Sequence, residues 1–99
     1  NEKNLIPEEF AISNLYPNPF NPRVNINLKV RVNGKITISV FDMMGRVVNE
    51  LHSGLLVSGN HHFSWDGKTH NNQQASSGAY FLVVSNGINK HLKKMLLLK

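Results

Sequence analysis

The chain has 99 residues, with 11 Lys and Arg against 6 Asp and Glu and a formal net charge of +5. That length favours a single domain with a usable but modest core. Cysteine is absent, which excludes a disulfide framework and thiolate metal sites, and no run of about 18 apolar residues is present to span a bilayer as a helix.

Residues 1–12 read as a linker or tether. The start, Asn1-Glu2-Lys3-Asn4, is not a signal peptide, and a chain opening this way reads as part of something longer. Pro7-Glu8-Glu9-Phe10 could form one helical turn, because proline and acidic residues suit a helix N-terminus. All 4 prolines fall within the first 22 residues and all 7 glycines at Gly34 or later. That shift places a boundary between a leader and a strand-and-turn domain over 13–99. Leu15-Tyr16-Pro17-Asn18-Pro19-Phe20-Asn21-Pro22 marks the transition. Its prolines fix φ and remove backbone donors, so the run is predicted to be a stiff extended lead-in.

From Val24 the hydrophobic period is two. Val24, Ile26, Leu28, Val30 and Val32 alternate with polar residues, which predicts a strand with one buried face. Asn33-Gly34 is a hairpin signal. The next strand runs from Lys35 to Phe41 with Ile36, Ile38 and Val40 inward, and Asp42-Met43-Met44-Gly45 closes it as a turn. Arg46–His52 follows with Val48 and Leu51 as core residues, and Gly54 and Gly59 bracket a loop. His61, Phe63 and Trp65 alternate as a further strand ended by Asp66-Gly67. Residues 68–78 are polar and predict a surface loop. Ala79–Ser85 places Tyr80, Leu82 and Val84 on one face, with Phe81 and Val83 on the other. Asn86-Gly87 is a second hairpin turn, and Ile88–Lys99 returns as the last strand. Its end, Met95-Leu96-Leu97-Leu98, is apolar on both faces: either both are covered, or one awaits a partner. Short strands separated by turn signals predict an all-β antiparallel sandwich.

The five histidines do not assemble a metal site on this reading. His61 and His62 are adjacent on a strand and point to opposite faces, while His52, His70 and His91 sit in different elements. Asp42 and Asp66 lie in turns, where aspartate bonds its own backbone. No catalytic residue, paired acid and base, phosphate-cradling loop or cofactor site is identified. The basic charge could suggest nucleic acid, but the aromatic residues alternate into the core rather than among the lysines, so no nucleic-acid partner is expected.

The ordered motifs together carry more. Leu15–Pro22 is followed by Val40-Phe41-Asp42-Met43-Met44-Gly45-Arg46-Val47-Val48, Gly59-Asn60-His61, Trp65-Asp66-Gly67, Ser77-Gly78-Ala79-Tyr80-Phe81 and Lys93-Lys94-Met95-Leu96-Leu97-Leu98-Lys99. In that order they closely resemble the type A C-terminal sorting domain of the type IX (Por) secretion system of Bacteroidetes and related bacteria. The Trp-Asp-Gly and Ser-Gly-x-Tyr elements also look like the immunoglobulin-like domain of flagellar hook-capping proteins. The resemblance implies an immunoglobulin-like sandwich of about seven strands. It implies an address rather than an activity: an upstream cargo crosses to the periplasm, the outer-membrane translocon recognises the domain, and a sortase-like peptidase cuts ahead of it. The cargo then reaches the cell surface or the medium.

On that resemblance, recognition falls on Lys93, Lys94, Met95, Leu96, Leu97, Leu98 and Lys99. An apolar terminal strand flanked by lysines could add to a receptor sheet by its edge, or pair with a second copy. Pro17, Asn18, Pro19, Phe20, Asp42, Gly45, Gly59, Trp65, Asp66, Gly67, Gly78 and Tyr80 are read as fold-determining. The alternative is an immunoglobulin-like structural or adhesive spacer. A carbohydrate-binding module is the third reading, and it would need exposed rings among Tyr16, Phe20, Phe41 and Phe81.

Overall fold

The structure, a computed structural model, describes residues 9–98. Among them lie seven strands and no helix: β1 (Phe10–Tyr16), β2 (Val24–Val30), β3 (Gly34–Asp42), β4 (Val47–Leu56), β5 (Gly59–Trp65), β6 (Gly78–Ser85) and β7 (Lys90–Leu97). They form two antiparallel sheets, β1-β2-β5 and β4-β3-β6-β7, which pack as a sandwich. The predicted all-β fold class holds.

Alternation explains the core. Val24, Ile26, Leu28 and Val30 from β2 face Ile36, Ile38 and Val40 from β3 and Leu82 and Val84 from β6, and all are buried. Trp65 closes one end, its ring tilted against Phe20 at 5.6 Å and edge-to-face with Tyr80 at 5.2 Å. Met95 and Leu97 of β7 complete the layer.

Several boundaries differ from the sequence-based expectation. β1 begins at Phe10, which is buried, so residues 10–12 belong to the sheet rather than to the tether. Residues 1–8 of the tether, with Pro7 and Glu8 of the expected helical turn, lie outside the described residues, and Phe10, the last residue of that turn, is in β1. β1 has no clean alternation because its pairing with β2 shifts register between Ile12 and Asn14. The Pro17–Pro22 segment consequently joins β1 to β2 inside the domain; it is not a lead-in to it.

Asn33-Gly34 is not a hairpin between paired strands. β2 and β3 lie in different sheets, and the turn carries the chain across the sandwich. Asn33 Oδ1 there accepts a 2.7 Å bond from Ser58 N, tying this crossing to the β4–β5 crossing. Val32 stands beyond the end of β2 and is exposed. Gly54 lies within β4 opposite Ile36, so the loop expected between Gly54 and Gly59 shrinks to Val57 and Ser58. The Asp42–Gly45 and Asn86-Gly87 turns do join paired neighbours.

The polar 66–77 connection is pinned rather than loose. Trp65 Nε1 donates to Lys68 O at 2.8 Å, Ala75 N donates to Gly67 O at 2.8 Å, and Ala75 is buried.

Candidate functional site

β7 is an edge strand of the four-stranded sheet, and it and the residue after it carry the described part of the expected recognition set, Lys93–Leu98. Its pairing with β6 sets Met95 opposite Tyr80 and Leu97 opposite Gly78, which turns both inward to full burial. Leu96 and Leu98 point outward and are exposed, as are Lys93 and Lys94. The apolar tail is therefore covered on one face and open on the other. Lys99 lies outside the described residues.

The free edge of β7 is not bare. Backbone groups of an edge strand alternate between the neighbouring strand and solvent. Those of Lys94, Leu96 and Leu98 that face outward are met by the proline segment. Phe20 N donates to Leu96 O at 2.9 Å, and Leu98 N donates to Phe20 O at 2.9 Å. Asn18 supplies the next rung with its side chain. Leu96 N donates to Asn18 Oδ1 at 3.0 Å, and Asn18 Nδ2 donates to Lys94 O at 3.0 Å. A carboxamide offers one acceptor and two donors, so it can stand in for a strand's peptide unit. Edge pairing, expected as the tail's docking mode or as a route to self-association, is thus already occupied from within along Lys94–Leu98. An edge protected in this way resists strand addition. The flanking prolines, Pro17 and Pro19, are exposed and hold Asn18 and Phe20 against the edge with no donors of their own.

Beside the clamp, Ile12, Leu15, Asn18, Lys93 and Lys94 line a cleft of about 300 Å³ between the β1 and β7 edges.

Most of the remaining motif residues gather at the same end of the sandwich as Phe20 and Leu97, with Gly59 at the other. Asp42 Oδ1 accepts the N–H groups of Met44 and Arg46, each at 2.9 Å, and Oδ2 accepts Arg46 Nε at 2.9 Å. The Arg46 backbone bond is the first cause holding the Asp42 carboxyl below its ordinary pKa, with partial desolvation opposing it. Gly45 reaches the φ of +83° that lets this turn close. Tyr80 donates its hydroxyl to Ser76 O at 2.6 Å, and burial, then the Asp42 charge, raises its pKa. Asp66 Oδ1 accepts Lys68 N at 3.1 Å. Gly67 packs against Pro22 and Leu97, while Gly59 and Gly78 open β5 and β6. These residues satisfy one another within turns and strand ends.

A lowered carboxylate pKa in the folded state contributes stability above the unfolded-state value of about 3.9. That contribution disappears as pH falls through the folded value. Asp42→Asn should therefore flatten the acid arm of the Tm-versus-pH curve and lower Tm at neutral pH. Parallel curves for the two proteins would contradict this role.

Among the described residues, no group of three or more His, Cys, Asp or Glu is placed to hold a metal ion. His61 and His62 sit within hydrogen-bond distance of Val57 O and Asn25 Oδ1, on different faces of β5. His52 and His91 stack on Phe63 and Phe10. Of the four rings relevant to glycan binding, Phe20 is buried, Tyr16 is exposed, and Phe41 and Phe81 are half-buried side by side. No described helix is long and apolar enough to cross a membrane.

The sequence reading missed the role of Asn18. Its signal was an amide between two prolines that lack donors of their own, so that its side chain can supply the missing rung.

Comparison with known proteins agrees with this architecture. Residues 14–98 match the family described as "Secretion system C-terminal sorting domain". The basal-body rod modification protein FlgD of Salmonella typhimurium is 40% identical over 55 residues, covering 54% of this chain and 24% of that protein. The chain thus spans about a quarter of this curated relative. Dimeric latent PorU from Porphyromonas gingivalis superposes with a TM-score of 0.71 at 20% identity, covering 95% of this chain and 10% of that one. PorZ, a surface component of the type-IX secretion system of the same organism, superposes with a TM-score of 0.60 at 19% identity, over 87% of this chain and 11% of that one. At these identities the two structures speak for the fold.

Proposed function

The chain belongs to the secretion-system C-terminal sorting domain family, and from that membership we propose how it does its work. It is a sorting domain that directs an upstream cargo through the type IX secretion system to the cell surface or beyond. In our reading the outer-membrane translocon recognises the exposed side chains of the β7 tail, above all Lys93, Lys94, Leu96 and Leu98. A sortase-like peptidase then separates cargo from domain within the tether. The domain contributes an address and no reaction of its own.

The observation that carries this reading is the family match spanning nearly all of the described domain. The two-sided tail supports the residue assignment. Met95 and Leu97 anchor the strand in the core, while Lys94, Leu96 and Leu98 on the other side, and Lys93 exposed at the margin of the core-facing side, remain available to a partner. Because the edge is bonded to Asn18 and Phe20, recognition passes through side chains rather than strand addition. The spacer reading retains one specific support, the 40% identity to FlgD over 55 residues.

Deleting 93–99 would remove Met95 and Leu97 from the core and confuse misfolding with lost recognition. The sharper test changes only exposed groups: Lys93→Glu, Lys94→Glu, Leu96→Thr and Leu98→Thr together, in a cargo fusion. Export should fall about tenfold at unchanged Tm, as expected when charge complementarity and a contact are lost together. Normal export from this folded variant would overturn the tail assignment.

A further inference from the structure

The outer faces of the two sheets differ in chemistry. On the three-stranded sheet the outward positions are Asn25, Asn27, Lys29, Asn60, His62 and Ser64, paired across β2 and β5. This is the polar face that an antiparallel sheet presents to water. On the four-stranded sheet, positions opposite the buried Val40, Leu82 and Val84 are instead Phe41, Phe81 and Val83. Phe41 is the direct neighbour of Phe81, and Val83 of Leu92. Met43, Val47 and Leu92 extend the patch and are 62%, 54% and 55% exposed. Phe41, Met43, Phe81, Val83, Lys90 and Leu92 line a groove of about 350 Å³. Core packing does not account for this face, because each strand has already given its other side to the core.

Charge narrows the occupant. Lys90 lines the groove, Lys94 lies directly opposite Phe81, and Lys35 shares the face. Among the described residues, the carboxylates nearby are Asp42, which lines the groove but is bonded to Arg46, and Glu50, opposite Ser39. A second copy of a chain with net charge +5 would bring the same lysines to the same rim. A bilayer calls for rings that protrude, whereas Phe41 and Phe81 are half-buried in the floor of a concave surface. A groove of this shape receives a side chain projecting from a protein.

We propose that the outer face of β3-β6-β7, centred on Phe81, Val83 and Leu92, is a docking surface. Its partner is a protein surface in the secretion machinery that presents an apolar side chain within a rim of carboxylates. This rests on the sorting-domain reading and adds a site that continues the outward face of the tail, with Lys94 bordering both. The apolar floor supplies the anchor, and Lys90 sets orientation and salt dependence.

The test uses a cargo fusion carrying Val83→Thr and Leu92→Thr, which keep strand-compatible side chains, and a second carrying Lys90→Glu. A photo-crosslinking residue at position 83 reports the partner directly. Each variant should lose about tenfold in export at unchanged Tm. The crosslinker should yield one adduct with an outer-membrane component of the machinery, and Lys90→Glu should weaken it. Normal export from the folded Val83→Thr, Leu92→Thr variant overturns the proposal. An adduct only with the fused cargo, or only with another copy of the chain, overturns it too. So does binding of the isolated chain to phosphatidylglycerol vesicles that these substitutions abolish, because the face would then be a membrane surface. The tail variant with Lys94 left in place is the control. If it blocks export while the groove variants do not, this inference alone fails; if the unsubstituted fusion is not exported at all, the sorting reading fails with it.

Discussion

Replacing Phe20 with alanine is expected to destabilise the domain by about 3–5 kcal/mol, the range for truncating a fully buried phenylalanine. Phe20 is 1% exposed and its ring lies against Trp65. It sits in a connection between β1 and β2, where loop residues are ordinarily replaceable. Here the connection leaves the three-stranded sheet, pairs with Leu97 at the edge of the other sheet, and returns. The ring is therefore a core residue donated by a loop, and alanine would leave a cavity between Trp65 and the last strand. A small domain has only about 5–15 kcal/mol in total, so a substantial population of unfolded chain should follow. Denaturant titration should move the midpoint with an unchanged slope. A loss below about 1 kcal/mol, the scale of an ordinary surface change, would remove Phe20 from the core account. Export of a cargo fused to this variant should fall as well, since the tail would lose the segment that fixes it.

Gly67→Ala should have the second largest effect, about 2–4 kcal/mol, from two additive causes. Gly67 has φ of +79°, where a side chain costs about 1–2 kcal/mol. An added Cβ would also lie 3.0 Å from the Pro22 carbonyl oxygen and 3.8 Å from the Leu97 side chain. The neighbour cannot give way freely, because the proline ring fixes its own φ. Gly45 provides the control. Its φ is +83°, yet a Cβ there would meet nothing within 4 Å. Gly45→Ala should therefore show the backbone penalty alone. Equal losses for the two variants would mean that the close approach of the Trp-Asp-Gly turn to Pro22 and Leu97 contributes nothing.

These two positions show what the sequence could convey. The period-two run from Val24 to Val30 and the Tyr80-Leu82-Val84 stripe identify their strands and buried faces directly, because alternation is a local property. The Asp42–Gly45 and Asn86-Gly87 turns are equally local. β1 was hidden by the register shift at Ser13 and by polar residues at its centre, which break the alternation that marks a strand. Asn33-Gly34 signals a chain reversal but carries no information about which sheet receives the next strand. Gly54 looked like a loop residue because glycine interrupts strands more often than it continues them. The clamp on β7 depends on contacts spanning more than 70 residues, Asn18 to Lys94 and Leu96. The lysine- and leucine-rich tail was legible as a motif, but its division into an anchored and an outward face required the pairing register with β6. The groove floor was partly legible, since Phe81 and Val83 fall opposite the core stripe. Its meeting with Phe41 and Leu92 follows only from the strand order.

The central claim is that this domain is an address, sufficient to route an attached protein through the type IX system. Its most direct test joins residues 1–99 to an unrelated reporter already targeted to the periplasm. The fusion is then compared in a bacterium with a working type IX system and in the same strain lacking the translocon. The reporter should appear at the surface or in the medium only when both the domain and the translocon are present. Retention of a folded fusion in the periplasm of the competent strain, or equal release from both strains, would contradict the account.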